Sequence, residues 1–321
     1  MVSPELPAAL AAAIDELVEH SDRARLEAAA GRISNAYRTG AGGRVVRTAE
    51  EAVAYAAYRA PATYAAVASV LSQVGLQRPE WQPRSLLDVG AGPGVASWAA
   101  VAAWPALERV ALVETERELA ALGRRLAASG GRALADADWV VGDVTAASGT
   151  FDVVLVSYVL NELEEERLGE VVRGLWARTA GILVVVEPGT TTGYRRALAA
   201  RSVVLAAGGS TLAPCPHDAA CPLVPPDWCH FAVRLPRGEA HRAVKAVSRG
   251  FEDEKFSYVV LARDPAGRAA ARIIRPPRIR SGHVHLELCE TAGVRGAIVS
   301  KRDRDAYRQA RGSAWGDAWE D

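Results

Sequence analysis

The sequence predicts an α/β fold in which a largely parallel sheet is covered by helices on both faces. Three observations predict it. Short Val/Leu/Ile runs recur between stretches whose apolar residues have helical spacing. The runs are continuous rather than alternating, as strands buried on both faces require. A glycine-rich turn, "DVGAGPG", joins the first run to the helix that follows it. At 321 residues, 50% of them apolar, the chain is long enough to bury a full core.

The elements follow in order. Residues 5–19 place Leu6, Leu10, Ile14, Leu17 and Val18 on one helical stripe. After a glycine-rich break at 40–43, "YAAYRAPATYAAVASVLSQVG" reads as two helical pieces, with Pro61 in the first turn of the second. Tyr64, Val67, Leu71 and Val74 line its buried face. Five strands are expected at 85–90, 109–114, 137–143, 151–158 and 181–188, with helices near 95–103, 115–129 and 163–178 between them. A helix at 193–207 leads into a cysteine-rich stretch. "HFAVRL" (230–235) and "FSYVVLAR" (256–263) then supply two more strands, joined by a helix near 239–247. "GHVHLELCETAG" reads as a β-hairpin. The organisation expected is an N-terminal helical region (1–80), a core (81–263) with a cysteine-rich insertion at 210–230, and a basic, β-rich extension (264–321).

Formal net charge is zero, but it is unevenly spread. Residues 1–187 hold 17 Lys and Arg against 24 Asp and Glu, and residues 188–321 hold 21 against 14. A polyanionic partner is therefore expected on the second half. No apolar run reaches the roughly 18 residues that span a bilayer. The first Lys or Arg is Arg23, so neither a secretory n-region nor an Arg-rich transit segment is expected. The expectation is a cytoplasmic, non-membrane, monomeric protein. Clustered thiols there point to metal ligation or redox chemistry rather than disulfides.

The glycine turn has the spacing Asp88-x-Gly90-x-Gly92-x-Gly94. A dinucleotide fingerprint wants glycine at 95, where this chain has Val95. The segment resembles the cofactor loop of S-adenosylmethionine-dependent methyltransferases. That cofactor lacks a pyrophosphate but carries an amino-acid moiety that needs close backbone clearance, and an acid such as Asp88 can order its ammonium. Glu114, ending "RVALVE", is placed for the ribose hydroxyls. Asp143, followed by Val144 in "VVGDV", is placed for the adenine amine. The plainer alternative is a simple turn, with Glu114 and Asp143 as solvated helix caps. After the fourth strand, "SYVLNELEEE" has neither an Asn/Asp-Pro-Pro-aromatic tetrad nor a cysteine, so covalent attack on a pyrimidine is not expected. Asn161 and Glu162 either face the transferred methyl or begin a helix, Asn161 capping it and Glu162 complementing its dipole.

Three of four cysteines, Cys215, Cys221 and Cys229, fall within "CPHDAACPLVPPDWC", and Cys289 lies far beyond. Thiolates suit zinc or iron–sulfur centres. The gaps are wider than the paired hooks of zinc knuckles. Prolines 214, 216, 222, 225 and 226 stiffen the stretch. The alternative is four small buried hydrophobes.

Taken together, "AYAAYRAPATYAAVASVL", "LLDVGAGPG", "VSYVLNEL", "VVVEPGT", "CPHDAACPL…DWCHF" and "RPPRIRSGHVHLELC…SK" resemble the methyltransferase-like family associated with assembly of the small ribosomal subunit, known from mitochondria and with bacterial relatives. The resemblance runs from about residue 35 to the "AWGDAW" near the end. It implies a Rossmann-like class I methyltransferase fold carrying an iron–sulfur insertion. It also implies a four-iron–four-sulfur cluster on Cys215, Cys221, Cys229 and Cys289, with zinc as the alternative. His217 and His230 are read as neighbours of that site.

The arginines of "RIIRPPRIR", Arg272, Arg275, Arg278 and Arg280, have no acid among them from 265 to 286. They are the expected RNA contacts. By resemblance the RNA is that of the small ribosomal subunit. A second basic run, "SKRDRDAYRQAR", interleaves Asp303 and Asp305 and reads in part as helix salt-bridging. Three functions stand open: methyl transfer to ribosomal RNA, non-catalytic assembly with a retained cofactor pocket, and methylation of a small molecule.

Overall fold

The computed structural model describes residues 4–39, 46–236, 251–265 and 269–320. The core strands are β1 (Ser85–Val89), β2 (Arg109–Glu114), β3 (Asp138–Val141), β4 (Phe151–Ser157), β5 (Thr179–Pro188), β6 (Ser210–Ala213), β7 (Phe231–Pro236) and β8 (Phe251–Ala262). They form an eight-stranded sheet in the order β3-β2-β1-β4-β5-β8-β6, with β7 pairing with the first half of β8. Strands β1 to β5 are parallel. β8 differs from a purely parallel sheet: it runs antiparallel to both β5 and β6, filling the slot between them.

Each continuous apolar run feeds two cores. In β4, Val153 and Leu155 face one side and Val154 and Val156 the other. Ile182 and Val184 in β5 likewise oppose Leu183 and Val185. Side chains alternate along a strand, so a strand covered on both faces has no polar positions to show. One face is covered by α3 (Ala49–Gln77), α4 (Val95–Ala103) and α5 (Arg117–Ala127), with a short α6 (Arg132–Ala135) beside them. The other is covered by α7 (Glu165–Ala177) and α8 (Thr191–Ala206).

The N-terminal helices α1 (Ala8–Glu19) and α2 (Arg23–Thr39) pack on α3. Pro61 does not divide two helices but lies inside the single 29-residue α3. The helix survives the missing N–H because Ala60, Tyr64, Val67 and Leu71 bury its apolar face around that turn. Thr48 starts it, its hydroxyl accepting the Glu51 N–H at 3.2 Å. The expected helix near 239–247 and the break at 40–43 fall on or across residues outside those described.

Beyond the core, β9 (Ala271–Ile273), β10 (Arg278–Arg280), β11 (His283–Glu290), β12 (Gly293–Ser300) and β13 (Ala318–Trp319) form a second, antiparallel sheet. The helix α9 (Arg304–Gly312) packs Tyr307 and Ala310 against Ile273, Val284, Leu286 and Leu288. The hairpin read from "GHVHLELCETAG" is β11–β12, paired from His283↔Ser300 to Glu290↔Gly293. Among the described residues, no helix is long and apolar enough to cross a membrane.

Candidate functional site

Two sites are built on this frame. The first lies at the carboxyl ends of β1, β2 and β4, where the strand order turns from β2 on one side of β1 to β4 on the other. Ligands of open α/β sheets bind at such a switch point. The pocket there has a volume of about 280 Å³. Gly90 and Gly92 adopt φ of 68° and 55°, which side chains rarely tolerate. A Cβ on Gly90 would stand 2.2 Å from Val159 Cγ2, whereas one on Gly92 would meet only Tyr55 at 3.8 Å. The backbone at 92 is therefore open to the pocket. The Gly92 N–H donates to Glu114 Oε2 at 2.7 Å, and the Glu116 N–H to Glu114 Oε1 at 2.8 Å. The Thr115 hydroxyl also donates to Glu114 Oε1, at 3.2 Å, so Glu114 clamps the loop and, of the roughly four hydrogen bonds a carboxylate accepts, has about one left to offer.

Of the residues expected to hold a cofactor, Gly90, Gly92, Glu114, Asp143 and Val144 line this pocket, as does Glu162. Asp88 and Gly94 do not. Asp88 is fully buried beneath the loop and accepts the Ser97 hydroxyl at 2.7 Å, so it braces the start of α4 rather than facing a ligand. Burial pushes its carboxyl up to about 7; the Ser97 bond opposes this and the Glu114 charge adds to it. Asp143 accepts the Thr145 N–H at 2.9 Å, and its bonds to Thr145 hold its carboxyl below the ordinary range. Asn161 is not among the residues that line the pocket. Its N–H donates to Glu187 Oε2 at 3.1 Å, and its amide nitrogen faces Tyr158 O and the same carboxylate. Glu187 is buried and also accepts the Leu160 N–H at 2.8 Å. Desolvation raises its carboxyl to about 8 despite those bonds. Glu162 stands on the concave wall, where desolvation and then the charges of Glu114 and Glu116 raise it to about 7.

Sequence reasoning missed the opposite wall. Tyr158, directly after β4, has φ of 60°, the one non-glycine positive φ among the described residues. Such strain persists where the surroundings over-determine it. Its hydroxyl donates to Glu254 Oε1 at 2.9 Å, and Arg59 pairs with the same oxygen at 3.2 Å. Arg59 also lies over the Tyr158 ring, 5.2 Å from its centroid. Both residues line the pocket. A lone cation in the alanine-rich run around Pro61 was the available signal.

The second site is a cavity between α8, the 214–229 segment, β8 and the second sheet. Cys215, Cys221, Cys229 and Cys289 all line it, so the fold brings Cys289 back to the other three. The Tyr194 hydroxyl donates to Cys221 Sγ at 3.2 Å, and His217 Nε2 lies 3.8 Å from Cys289 Sγ. His230 instead stacks on Trp228, with centroids 4.9 Å apart. Burial raises the Cys215 and Cys229 thiols and takes Cys289 to about 12, and the other thiols add to the effect at each. All four are free thiols. Among the described residues, no group of three or more His, Cys, Asp or Glu is drawn together so as to hold a metal ion.

The arginine expectation is corrected in part. Arg272 is 2% exposed and faces inward, donating to Pro214 O, Gln73 Oε1 and Gly316 O. It is not available to RNA, because β9 is covered on both faces where it joins the core. Arg275 is committed to Asp227 and lies 4.0 Å from Glu287. Arg278 and Arg280 are exposed on β10, opposite His285 and His283 of β11.

Comparison with known proteins adds the following. The family described as "Mitochondrial small ribosomal subunit Rsm22" matches residues 49–320. The human "Ribosome assembly protein METTL17, mitochondrial" is 32% identical over 285 residues, 82% of this chain and 61% of that protein. "Rsm22-cox11 tandem protein 2, mitochondrial" of Schizosaccharomyces pombe is 27% identical over 335 residues, 84% of this chain and 43% of its own length. The chain thus spans less than two thirds of these relatives. Among solved structures, magnesium protoporphyrin IX methyltransferase from Synechocystis PCC 6803 with bound SAM aligns with a TM-score of 0.43 at 13% identity, covering 72% of this chain and 90% of that one. A ribosomal protein L11 methylase from Lactobacillus delbrueckii subsp. bulgaricus aligns with a TM-score of 0.36 at 15% identity, covering 61% and 77%. Likeness of that order carries no functional argument. The cytoplasmic expectation is overturned, because the matching family and the relatives named are mitochondrial proteins. Side-chain composition near Arg23 does not decide a compartment.

Proposed function

The chain belongs to the Rsm22 family of the mitochondrial small ribosomal subunit, and from that premise we propose that it is an S-adenosylmethionine-binding factor for small-subunit assembly, with residues 81–263 as its cofactor-binding core and 264–321 as its RNA-facing extension. The observation that carries this reading is the pocket at the switch point, where an open glycine backbone and Glu114 meet. Gly92 leaves its backbone open for the amino-acid moiety, Glu114 keeps an acceptor position for a ribose hydroxyl, and Asp143 and Val144, which line the same pocket, are read as the adenine end. Glu114, Glu116 and Glu162 along the wall suit a ligand bearing a sulfonium and an ammonium. When bound, the cofactor supplies an electrophilic methyl group; the chain's part is to hold it and exclude water.

Calorimetric titration with S-adenosylmethionine tests the reading. Binding is expected for the wild type, with at least a tenfold loss in Gly92→Arg, whose side chain would occupy the open space. Equal affinity in both would remove the pocket from the argument. A second reading, methyl transfer to ribosomal RNA, is favoured by Glu162, a carboxyl near neutral in its proton affinity on the pocket wall. Incubating small ribosomal subunits with methyl-labelled cofactor separates the two: label in RNA that Glu162→Gln diminishes supports transfer, and subunit binding without label supports assembly alone.

The cysteine cavity is read as a four-iron–four-sulfur site on Cys215, Cys221, Cys229 and Cys289. The donor set fits: four free thiols share one cavity with prolines and apolar side chains, and no carboxylate lines it. Zinc on the same four sulfurs is the alternative. A cluster spreads its thiolates over the corners of a larger body. The site would tie the 215–229 segment to β11, and its binding energy would appear as folding energy. About four irons and four sulfides per chain after anaerobic reconstitution are expected; one zinc and no sulfide would reverse the assignment.

A further inference from the structure

Two arginines stand where a charge would ordinarily be costly. Arg201, on α8, is 4% exposed and Arg272, on β9, is 2% exposed. Both line the cysteine cavity. Arg201 donates to Thr211 Oγ1 at 3.1 Å, His217 O at 2.7 Å and Ala219 O at 2.9 Å. Arg272 donates to Pro214 O at 2.8 Å, Gln73 Oε1 at 2.6 Å and Gly316 O at 2.9 Å. All six acceptors are neutral. Asp218, the nearest acid along the chain to Cys215, has its Oδ1 on the Thr211 N–H. Buried charges are normally paired with opposite charge, and guanidinium groups remain protonated at any accessible pH. Two buried cations and four thiols line one cavity whose wall carries no carboxylate, and that juxtaposition suits a bound anionic group.

We infer that Arg201 and Arg272 are the built-in counter-charge of a doubly negative metal–thiolate group held by Cys215, Cys221, Cys229 and Cys289. The inference rests on the four-thiolate reading of that cavity. Four thiolates around an oxidised four-iron–four-sulfur core, or around one zinc ion, leave a net double negative charge, which the two guanidinium groups balance. They come from opposite sides of the cavity, one from the core helix and one from the second sheet. Loading therefore draws the two units together by charge as well as by ligation. One-electron reduction adds a further negative charge, which both cations favour.

The test uses the full chain reconstituted anaerobically with iron and sulfide, then titrated potentiometrically with dithionite as electron donor. Arg201→Gln is expected to lower the reduction equilibrium about tenfold, a shift of about 59 mV to more negative potential. Arg201→Lys, which keeps the charge but loses the fork to three acceptors, is expected to stay near wild type in potential. An Arg201→Gln protein that loads fully with unchanged potential overturns the inference. So does a Lys variant that behaves as the Gln variant does, because the arginine would then act only by bracing the loop. Arg272→Gln is expected to shift the potential in the same direction, and should that variant fail to fold, Arg201 alone decides. Should the wild type take no iron, the cluster reading falls, and zinc affinity measured by chelator competition takes over: a tenfold weakening in Arg201→Gln, rescued by Lys, upholds the counter-charge. Unchanged zinc affinity, or no zinc binding at all, overturns it.

Discussion

Asp88 illustrates how a residue's role can turn on one strand's depth. The spacing from Asp88 to Gly94 made it a ligand for the cofactor, yet it lies wholly buried, holding Ser97. Its carboxyl is raised to about 7 and that of Glu187 to about 8, chiefly by burial. For an acid whose folded pKa is raised, the native state binds more protons than the unfolded chain between the two pKa values. Stability from these groups is thus present at acid pH and is lost as pH rises from about 4 through 8. Chemical denaturation should give a falling unfolding free energy between pH 5 and pH 8, and Asp88→Asn, whose amide oxygen can still accept from Ser97, should flatten that fall by roughly 1–3 kcal/mol. A pH profile identical to wild type would show that Asp88 does not titrate there. Gly90, Gly92, Glu114 and Asp143 were legible in order along the chain because strand, turn and helix fix where a loop points. Tyr158 and Arg59 were not, since their partner Glu254 comes from a strand 96 residues beyond Tyr158 and 195 beyond Arg59.

Elements were read better than their junctions. The strands of the parallel sheet stand within a few residues of expectation because the run of buried Val and Leu is a local signal. The neighbours of β8 are not local: nothing in "FSYVVLAR" says that it enters between β5 and β6. The same limit applies to the basic stretch before β11. Its four arginines look alike in sequence, but the turn from β9 to β10 buries Arg272 and leaves Arg278 and Arg280 in solvent. If β10 and β11 present phosphate contacts, Arg278→Ala and Arg280→Ala should each lower the slope of log affinity for small-subunit RNA against log salt by about 0.7–0.9. Filter binding at several salt concentrations measures this. Arg272→Ala, by contrast, should lower the melting temperature and leave the salt slope of the folded fraction alone, and a changed slope would mean that it reaches RNA after all. The side chains of Arg278 and Arg280 alternate with Ile279, which is 49% exposed, so the strand offers apolar as well as cationic surface.

At the scale of the whole molecule, the cysteine cavity is where core and second sheet meet, with Arg272 bonded to α3 through Gln73 and to the 214 turn. If a metal group closes this junction, its removal should loosen one region and not the other. Hydrogen exchange on the chelated protein is expected to quicken in residues 215–229, β9 and β11 while β1 to β5 remain protected; a uniform change would mean that the junction does not depend on the group. The sequence by itself determined the layered α/β plan, the glycine pocket's place in it and the grouping of Cys215, Cys221 and Cys229, because strand burial, turn chemistry and cysteine clustering are written in neighbouring residues. Only the tertiary structure decided which acids face the pocket, which arginines face water, and that Cys289 returns to the other three. Those outcomes depend on contacts between segments tens to hundreds of residues apart, and local pattern carries no record of which distant surface a side chain will meet.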